Sequence, residues 1–126
     1  MFEVLNQSTE NCLVVHFSGK PTGQEYQKFL DELEGRLEKT SELNLVLVLS
    51  GLQFYGDFEA FRKDVKFSRG EYKRIHRAAL VGDQKWIEWY LRFIAPHTPA
   101  EEKHFAEGQI QAAVDWALGA VPVSTP

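Results

Sequence analysis

The chain of 126 residues has a net charge of −4, an apolar fraction of 44% and a single cysteine. This length and composition are typical of one globular domain, and the single cysteine excludes an internal disulfide. The first residues lack the basic and apolar regions of a signal peptide, and no apolar run approaches the ~20 residues that span a bilayer. We therefore expect a cytoplasmic protein.

The N-terminal part of the chain predicts a β-hairpin followed by a helix. Two stretches rich in apolar and β-branched residues, 2–6 and 12–18, flank a turn and are expected to pair. Thr22 and Glu25 stand in the relation of a capping box, and an apolar stripe with helical spacing follows them. The helix therefore begins after Thr22, and we expect it to end near Lys39.

Strands and helices alternate in the rest of the chain. A continuous apolar run at residues 45–49 is typical of a central strand covered on both faces, and residues 78–81 predict the next strand. Between them, Asp57 can cap a helix. A helix over residues 84–94, a short edge strand near residues 103–106 and a last helix complete the pattern.

The last helix is expected to bury one apolar face and to end at Gly119. Its predicted buried residues are Ile110, Ala113, Val114, Ala117 and Leu118. The predicted order is ββαβαβαβα, which indicates an α/β fold with a mixed, mostly parallel sheet and helices packed on it. We expect a single domain over residues 1–119 and a loose tail over residues 120–126.

Half of the positive charge lies in one stretch, residues 62–77, which we call the basic segment. It holds seven of the fourteen Lys and Arg and two acids, so it carries about +5 and the rest of the chain about −9. We expect the helix capped by Asp57 to carry it, with four cations spaced along an apolar stripe: Arg62, Lys66, Arg69 and Lys73. Cationic side chains beside apolar surface suit contact with an anionic membrane. The alternative is an ordinary amphipathic helix with a solvated basic edge.

The helix predicted over residues 84–94 is apolar almost all the way round, with only Glu88 and Arg92 polar among its last nine residues. A helix that packs on a sheet needs one apolar stripe, so the excess indicates a ligand cavity, a partner subunit or a membrane, unless neighbouring helices cover it. The predicted walls of an apolar ligand site are Trp86, Trp89, Tyr90 and Phe93 on this helix, and Phe54, Tyr55, Phe58 and Phe61 opposite. Gly51 and Gly56 would let the opposite wall move as a lid.

Enzyme chemistry has little support in the residues. The four histidines show no metal-ligand spacing, and no glycine-rich phosphate loop occurs. Glu101 and Glu102 are adjacent, so on a strand they would point to opposite faces. We therefore expect no catalytic residue, no metal and no cofactor, and we interpret Cys12 as a core or hairpin residue.

Three short motifs resemble the SpoIIAA-like family of STAS domains: residues 18–22 (SGKPT) running into Tyr26, residues 81–86 (VGDQKW) and residues 98–101 (TPAE). The resemblance spans about residues 2–119. It implies a fold similar to that of anti-sigma-factor antagonists and of the lipid-carrier domain of CRAL-TRIO proteins, and it suggests membrane association and binding of a small apolar ligand. Regulatory STAS members carry a phosphorylated serine after the third strand, but residues 53–58 contain neither Ser nor Thr.

The leading hypothesis is a non-enzymatic binding module that holds an apolar or lipid-like ligand and touches the inner face of the membrane through the basic segment. The alternative is a regulatory protein–protein interaction domain, similar to an anti-sigma-factor antagonist without the phosphoserine. In that case the aromatic helix would be a partner or homodimer surface. The acidic total charge and the lack of a recognisable reading motif argue against nucleic acid as a partner.

Overall fold

The described part of the chain is a mixed α/β structure. In the computed structural model the described residues are 2–19, 22–40, 42–52, 75–93 and 101–119. Their strands are β1 (Phe2–Val4), β2 (Cys12–Ser18), β3 (Leu43–Gly51), β4 (Ile75–Val81) and β5 (Glu101–Phe105). Their helices are α1 (Gly23–Leu37), α2 (Lys85–Phe93) and α3 (Ile110–Ala117). The tail predicted over residues 120–126 lies outside these ranges.

The five described strands form one sheet in the order β1-β2-β3-β4-β5. β1 and β2 are antiparallel and make the predicted hairpin, whereas the other three neighbouring pairs are parallel. Successive parallel strands are added in one direction, so right-handed connections place α1 and α2 on the same face. The mixed, mostly parallel α/β fold predicted from the sequence is confirmed.

The sheet has two different faces because successive side chains of a strand alternate. The face that α1 and α2 cover is built from large residues, including Phe17, Leu45 and Leu80. The face that α3 covers, which we call the α3 face, uses small ones such as Val46 and Ala79. Residues 45–49 of β3 are buried throughout, as expected of a central strand covered on both faces.

The start of α1 follows the predicted capping box. The Thr22 hydroxyl accepts the backbone N–H of Glu25 at 3.2 Å, and the Glu25 carboxylate accepts the backbone N–H of Thr22 at 3.1 Å. These two bonds satisfy amides that the first helical turn leaves without partners. The helix ends at Leu37, two residues before the predicted end, and Lys39 lies in the turn that follows.

The sequence pattern predicts a helix through the basic segment, but its last three residues belong to β4. Ile75 pairs with Leu43 and Arg77 pairs with Asn44, with an irregular register between the two pairs. The strand therefore begins three residues before the apolar run that predicts it. The exposed His76 at this irregularity hides the strand pattern from the sequence.

The end of α3 differs from prediction at one residue. Ala113, Val114 and Ala117 are buried as expected, but Leu118 is 40% exposed. Leu118 is the C-terminal cap of the helix, and Gly119 has a φ of +79°, which is outside the helical region. The glycine stop is confirmed, and Leu118 follows the last buried residue of α3, Ala117.

Candidate functional site

One side of α2 packs against the sheet. Ile87 and Tyr90 are fully buried, and Trp86 and Leu91 are partly buried against the same core. At 100° per residue these four positions form one continuous stripe along the helix. Trp86 and Tyr90, both predicted to line the ligand site, therefore lie on the side of α2 that faces the sheet.

The opposite side of α2 is an exposed surface of two aromatic rings, two cations and one acid. We call it the exposed aromatic face, and its residues are Lys85, Glu88, Trp89, Arg92 and Phe93. Trp89 is 46% exposed and Phe93 is 53% exposed, and the centres of their rings lie 5.9 Å apart. The helix thus presents paired rings to solvent beside positive charge, even though its other side already fills the core.

Tyr90 fastens α2 to the edge strand. Its hydroxyl donates to the Glu102 carboxylate, with distances of 2.8 and 3.0 Å to the two oxygens. Glu102 and Glu101 are adjacent on β5, and only Glu101 points to the α3 face, where it is the register partner of Arg77. The prediction that the two glutamates face opposite ways is confirmed. This bond holds the orientation of α2 and of the rings on its outer side.

The loop between β4 and α2 lies at the carboxyl edge of the sheet, where open α/β folds commonly bind ligands. The Gln84 side chain donates to the carbonyl oxygens of Leu49 and Leu52 at the end of β3. The Asp83 carboxylate accepts the backbone N–H of Glu107 after β5, at 3.0 Å. Two polar side chains that could contact a ligand at this edge are instead bonded within the protein.

Gly51 is required by a close approach of two strands. A Cβ atom at this position would lie 2.7 Å from the Cα atom of Ser18, which is shorter than real contacts of this kind. The register of β2 and β3 shifts between His16 and Ser18, just where Ser18 pairs with Gly51. The structure gives Gly51 a packing role, the lid movement predicted from the sequence stays a prediction, and Gly56 lies outside the described residues.

A groove of about 480 Å³ lies between the hairpin turn and the C-terminal half of α1. Its lining is polar and mostly acidic: Glu10, Asp31, Glu32, Gly35, Arg36, Glu38 and Lys39. Arg36 forms an ion pair with Glu32 at 3.1 Å and also donates to the backbone oxygen of Thr9. A groove with this lining does not suit an apolar ligand, and it contains none of the predicted site residues.

Several predicted site residues lie outside the described part of the chain and stay predictions. They are Phe54, Tyr55, Phe58 and Phe61 of the opposite wall, and Arg62, Lys66, Arg69 and Lys73 of the basic segment. Sequence reasoning missed the cations of the exposed aromatic face. The signal was present, because Lys85 and Arg92 are seven residues apart and so share a helix face with Trp89.

Reactive and metal-binding chemistry has little support in the described residues. Within the described ranges no group of three or more His, Cys, Asp and Glu could hold a metal ion. Cys12 is a core residue, as expected, and burial raises the pKa of its thiol to about 11. A thiol with so high a pKa is a poor nucleophile at neutral pH. In the same ranges no helix is long and apolar enough to cross a bilayer.

The fold and the exposed aromatic face define a small α/β domain with a mostly parallel sheet and a candidate binding surface on one helix. The model of the SpoIIAA-like family matches residues 12–118, and the chain belongs to that family. A solved structure from Shewanella loihica PV-4, an uncharacterised protein with a SpoIIAA-like fold, is similar at a TM-score of 0.66 and 24% identity. The match covers 92% of this chain and 93% of that one. The comparison with curated proteins found no match.

Proposed function

We propose that this protein is a non-enzymatic binding module that attaches to anionic membrane surfaces through the exposed aromatic face of α2 and holds a small apolar or lipid-like ligand there. The observation that carries the proposal is the pair of exposed rings, Trp89 and Phe93, beside Lys85 and Arg92 on one helix face. The residues on the other side of α2 already pack against the core, so these two rings are not needed there.

Aromatic rings next to cations have a specific advantage at a lipid surface. Indole and phenyl rings are favoured at the boundary between headgroups and acyl chains, where one end is apolar and the other is wet. Lysine and arginine beside them reach lipid phosphates, and each is worth about 1 kcal/mol near an anionic leaflet. The chain as a whole carries −4, so attraction to such a leaflet depends on local positive charge.

In the proposal, the four predicted cations of the basic segment add to this surface. Arg62, Lys66, Arg69 and Lys73 supply further phosphate contacts, and the ligand lies against Trp89 and Phe93 with Phe54, Tyr55, Phe58 and Phe61 opposite. Trp86 and Tyr90 support the site from the side of α2 that faces the sheet, because they pack on the core and Tyr90 is bonded to Glu102. The protein then acts on the cytoplasmic side of a membrane as a peripheral protein.

Vesicle co-sedimentation tests the membrane part of the proposal. We expect the purified protein to bind vesicles that contain phosphatidylglycerol, to ignore pure phosphatidylcholine, and to lose binding as salt is added, since exposed charges are screened beyond ~8 Å at physiological ionic strength. Lys85→Gln with Arg92→Gln should weaken binding about 30-fold, which corresponds to roughly 2 kcal/mol. Trp89→Ser with Phe93→Ser should abolish it.

Matched controls lie away from the exposed aromatic face. Leu118→Ser, at the end of α3, removes another exposed apolar side chain, and Lys103→Gln, on β5, removes another exposed cation. Both should bind vesicles like the wild type. Equal binding to neutral vesicles would overturn the proposal. No vesicle binding, together with loss of self-association or of a soluble protein complex in the α2 variants, would favour the regulatory interaction domain instead.

The ligand part is tested separately with an apolar fluorescent probe. The probe should bind the folded protein in solution and quench or shift tryptophan emission, and Trp89→Gln should reduce its affinity without unfolding the protein. Leu118→Ser again serves as the control. A probe that binds the wild type and the Trp89 variant equally well contradicts a ligand site on this face.

A further inference from the structure

A row of polar side chains crosses the α3 face of the sheet. Cys12, Asn44, Arg77 and Glu101 are register partners on β2, β3, β4 and β5. Neighbouring strands are about 4.8 Å apart, and register partners lie side by side on the same face. The C-terminal end of α3 lies over this row, because Nη1 of Arg77 donates to the backbone oxygen of Trp116 at 2.7 Å.

Two buried polar atoms in this row have no hydrogen-bond partner among the described residues: Oδ1 of Asn44 and Nε of Arg77. Asn44 is only 7% exposed, and its Nδ2 donates to the backbone oxygen of Asn11 at 3.2 Å, so Oδ1 is the atom left to satisfy. Nε of Arg77 lies 3.5 Å from the Glu101 carboxylate, which is longer than a good hydrogen bond. Burying these two atoms without hydrogen bonds lowers the stability of the folded protein.

The guanidinium of Arg77 is held in place and cannot turn toward Asn44 without losing other contacts. Its Nη1 bonds the Trp116 carbonyl, and its central carbon lies 5.4 Å from the centre of the Trp116 ring. The donor Nε and the acceptor Oδ1 belong to register partners on adjacent strands and lie on the same face of the sheet. A molecule that satisfies both atoms must accept a hydrogen bond from Nε of Arg77 and donate a hydrogen bond to Oδ1 of Asn44.

We infer that one ordered water molecule binds between Nε of Arg77 and Oδ1 of Asn44, beneath the end of α3. A cation would be repelled by the guanidinium, and an anion would be repelled by Oδ1 and by the Glu101 carboxylate. Water accepts from Nε, donates to Oδ1 and keeps a second hydrogen for Glu101. Buried waters typically make about three such bonds. The attachment of α3 to the sheet is thus partly mediated by water, at a site separate from the exposed aromatic face.

A crystal structure of the wild-type protein and NMR in solution test this site. We expect an electron-density peak within hydrogen-bond distance of both atoms, and a cross-peak between Hε of Arg77 and water with the sign of a slowly exchanging molecule. Asn44→Leu removes the acceptor and should abolish both signals. Cys12→Ala changes the other neighbour of Asn44 in the same row and should preserve both.

Three results would overturn the inference. They are a direct bond between Asn44 and Arg77, density with no peak between them, and a water cross-peak that survives Asn44→Leu. Should the Asn44 variant fail to fold, the wild-type density decides the question by itself.

Discussion

The hydroxyl of Tyr90 on α2 reaches both oxygens of the Glu102 carboxylate on β5, at 2.8 and 3.0 Å. Tyr90 is fully buried, whereas Glu102 is partly exposed. This bond joins the helix that carries the exposed aromatic face to a strand at the edge of the described sheet. This hydrogen bond lies on the side of α2 that faces the sheet, and it therefore helps to orient the exposed aromatic face on the opposite side of the helix.

Tyr90→Phe is expected to lower the free energy of unfolding by about 1–2 kcal/mol. Hydrogen bonds to charged groups contribute roughly 1.5–3 kcal/mol, and we take the lower part of that range because water can resolvate Glu102. Urea unfolding should show a lower midpoint with an unchanged slope. Trp89→Phe is the control and should change stability by less than about 0.5 kcal/mol, since Trp89 is largely exposed. Equal effects of the two variants would contradict the anchoring role.

Two glycine-to-alanine variants should change stability in opposite directions. Gly51→Ala should destabilise the protein by about 1–3 kcal/mol, because the new Cβ would lie 2.7 Å from Ser18. Gly35→Ala should stabilise it by about 0.5–1 kcal/mol, because Gly35 lies inside α1 with open space around it. Thermal unfolding of both variants checks the pair. A neutral Gly51→Ala would contradict the close approach of β2 and β3.

The Cys12 thiol should make stability depend on pH in alkaline solution. Burial raises its pKa from 9.0 to about 11, although the positive charge of Arg36 lowers it in part. Between those two values the unfolded thiol releases its proton while the folded thiol keeps it, so stability falls as the pH rises from 9 to 11. The loss should approach about 2 kcal/mol. Cys12→Ala should lack this component when urea unfolding is compared at pH 8 and pH 10.5. In the native wild type, alkylation by iodoacetamide should be slow.

Arg77 should contribute more to the free energy of unfolding than its position in the basic segment indicates. Its guanidinium bonds the Trp116 carbonyl at 2.7 Å and lies over the Trp116 ring. Arg77→Met keeps much of the apolar stem but loses these contacts, and we expect a loss of about 2 kcal/mol. Arg92→Met, on the exposed side of α2, should stay within about 0.5 kcal/mol of the wild type. Urea unfolding followed by circular dichroism separates the two, and similar losses would contradict the role of Arg77.

Local patterns predicted the parts of this protein that depend on neighbours in the chain. The capping box at Thr22 and Glu25, the apolar run of β3 and the stop at Gly119 follow from spacing and backbone preference, and all three are confirmed. The excess of apolar residues on α2 could also be predicted from the sequence. A helix with aromatic residues on nearly all sides has more apolar surface than one face of a sheet can bury. The fold class follows from the alternation of these elements.

The sequence alone determined the α/β class, the order of the described elements and the helix with surplus aromatic surface. Only the tertiary structure decided which rings are surplus, with Tyr90 buried and Trp89 and Phe93 left in solvent. It also decided that Arg77 belongs to a strand beneath α3, and that Gly51 serves a close approach of strands. Helical and strand periods act over a few residues, whereas these outcomes depend on distant partners: Glu102 is 12 positions from Tyr90, Trp116 is 39 from Arg77, and Ser18 is 33 from Gly51. No local pattern records which distant residue will lie opposite.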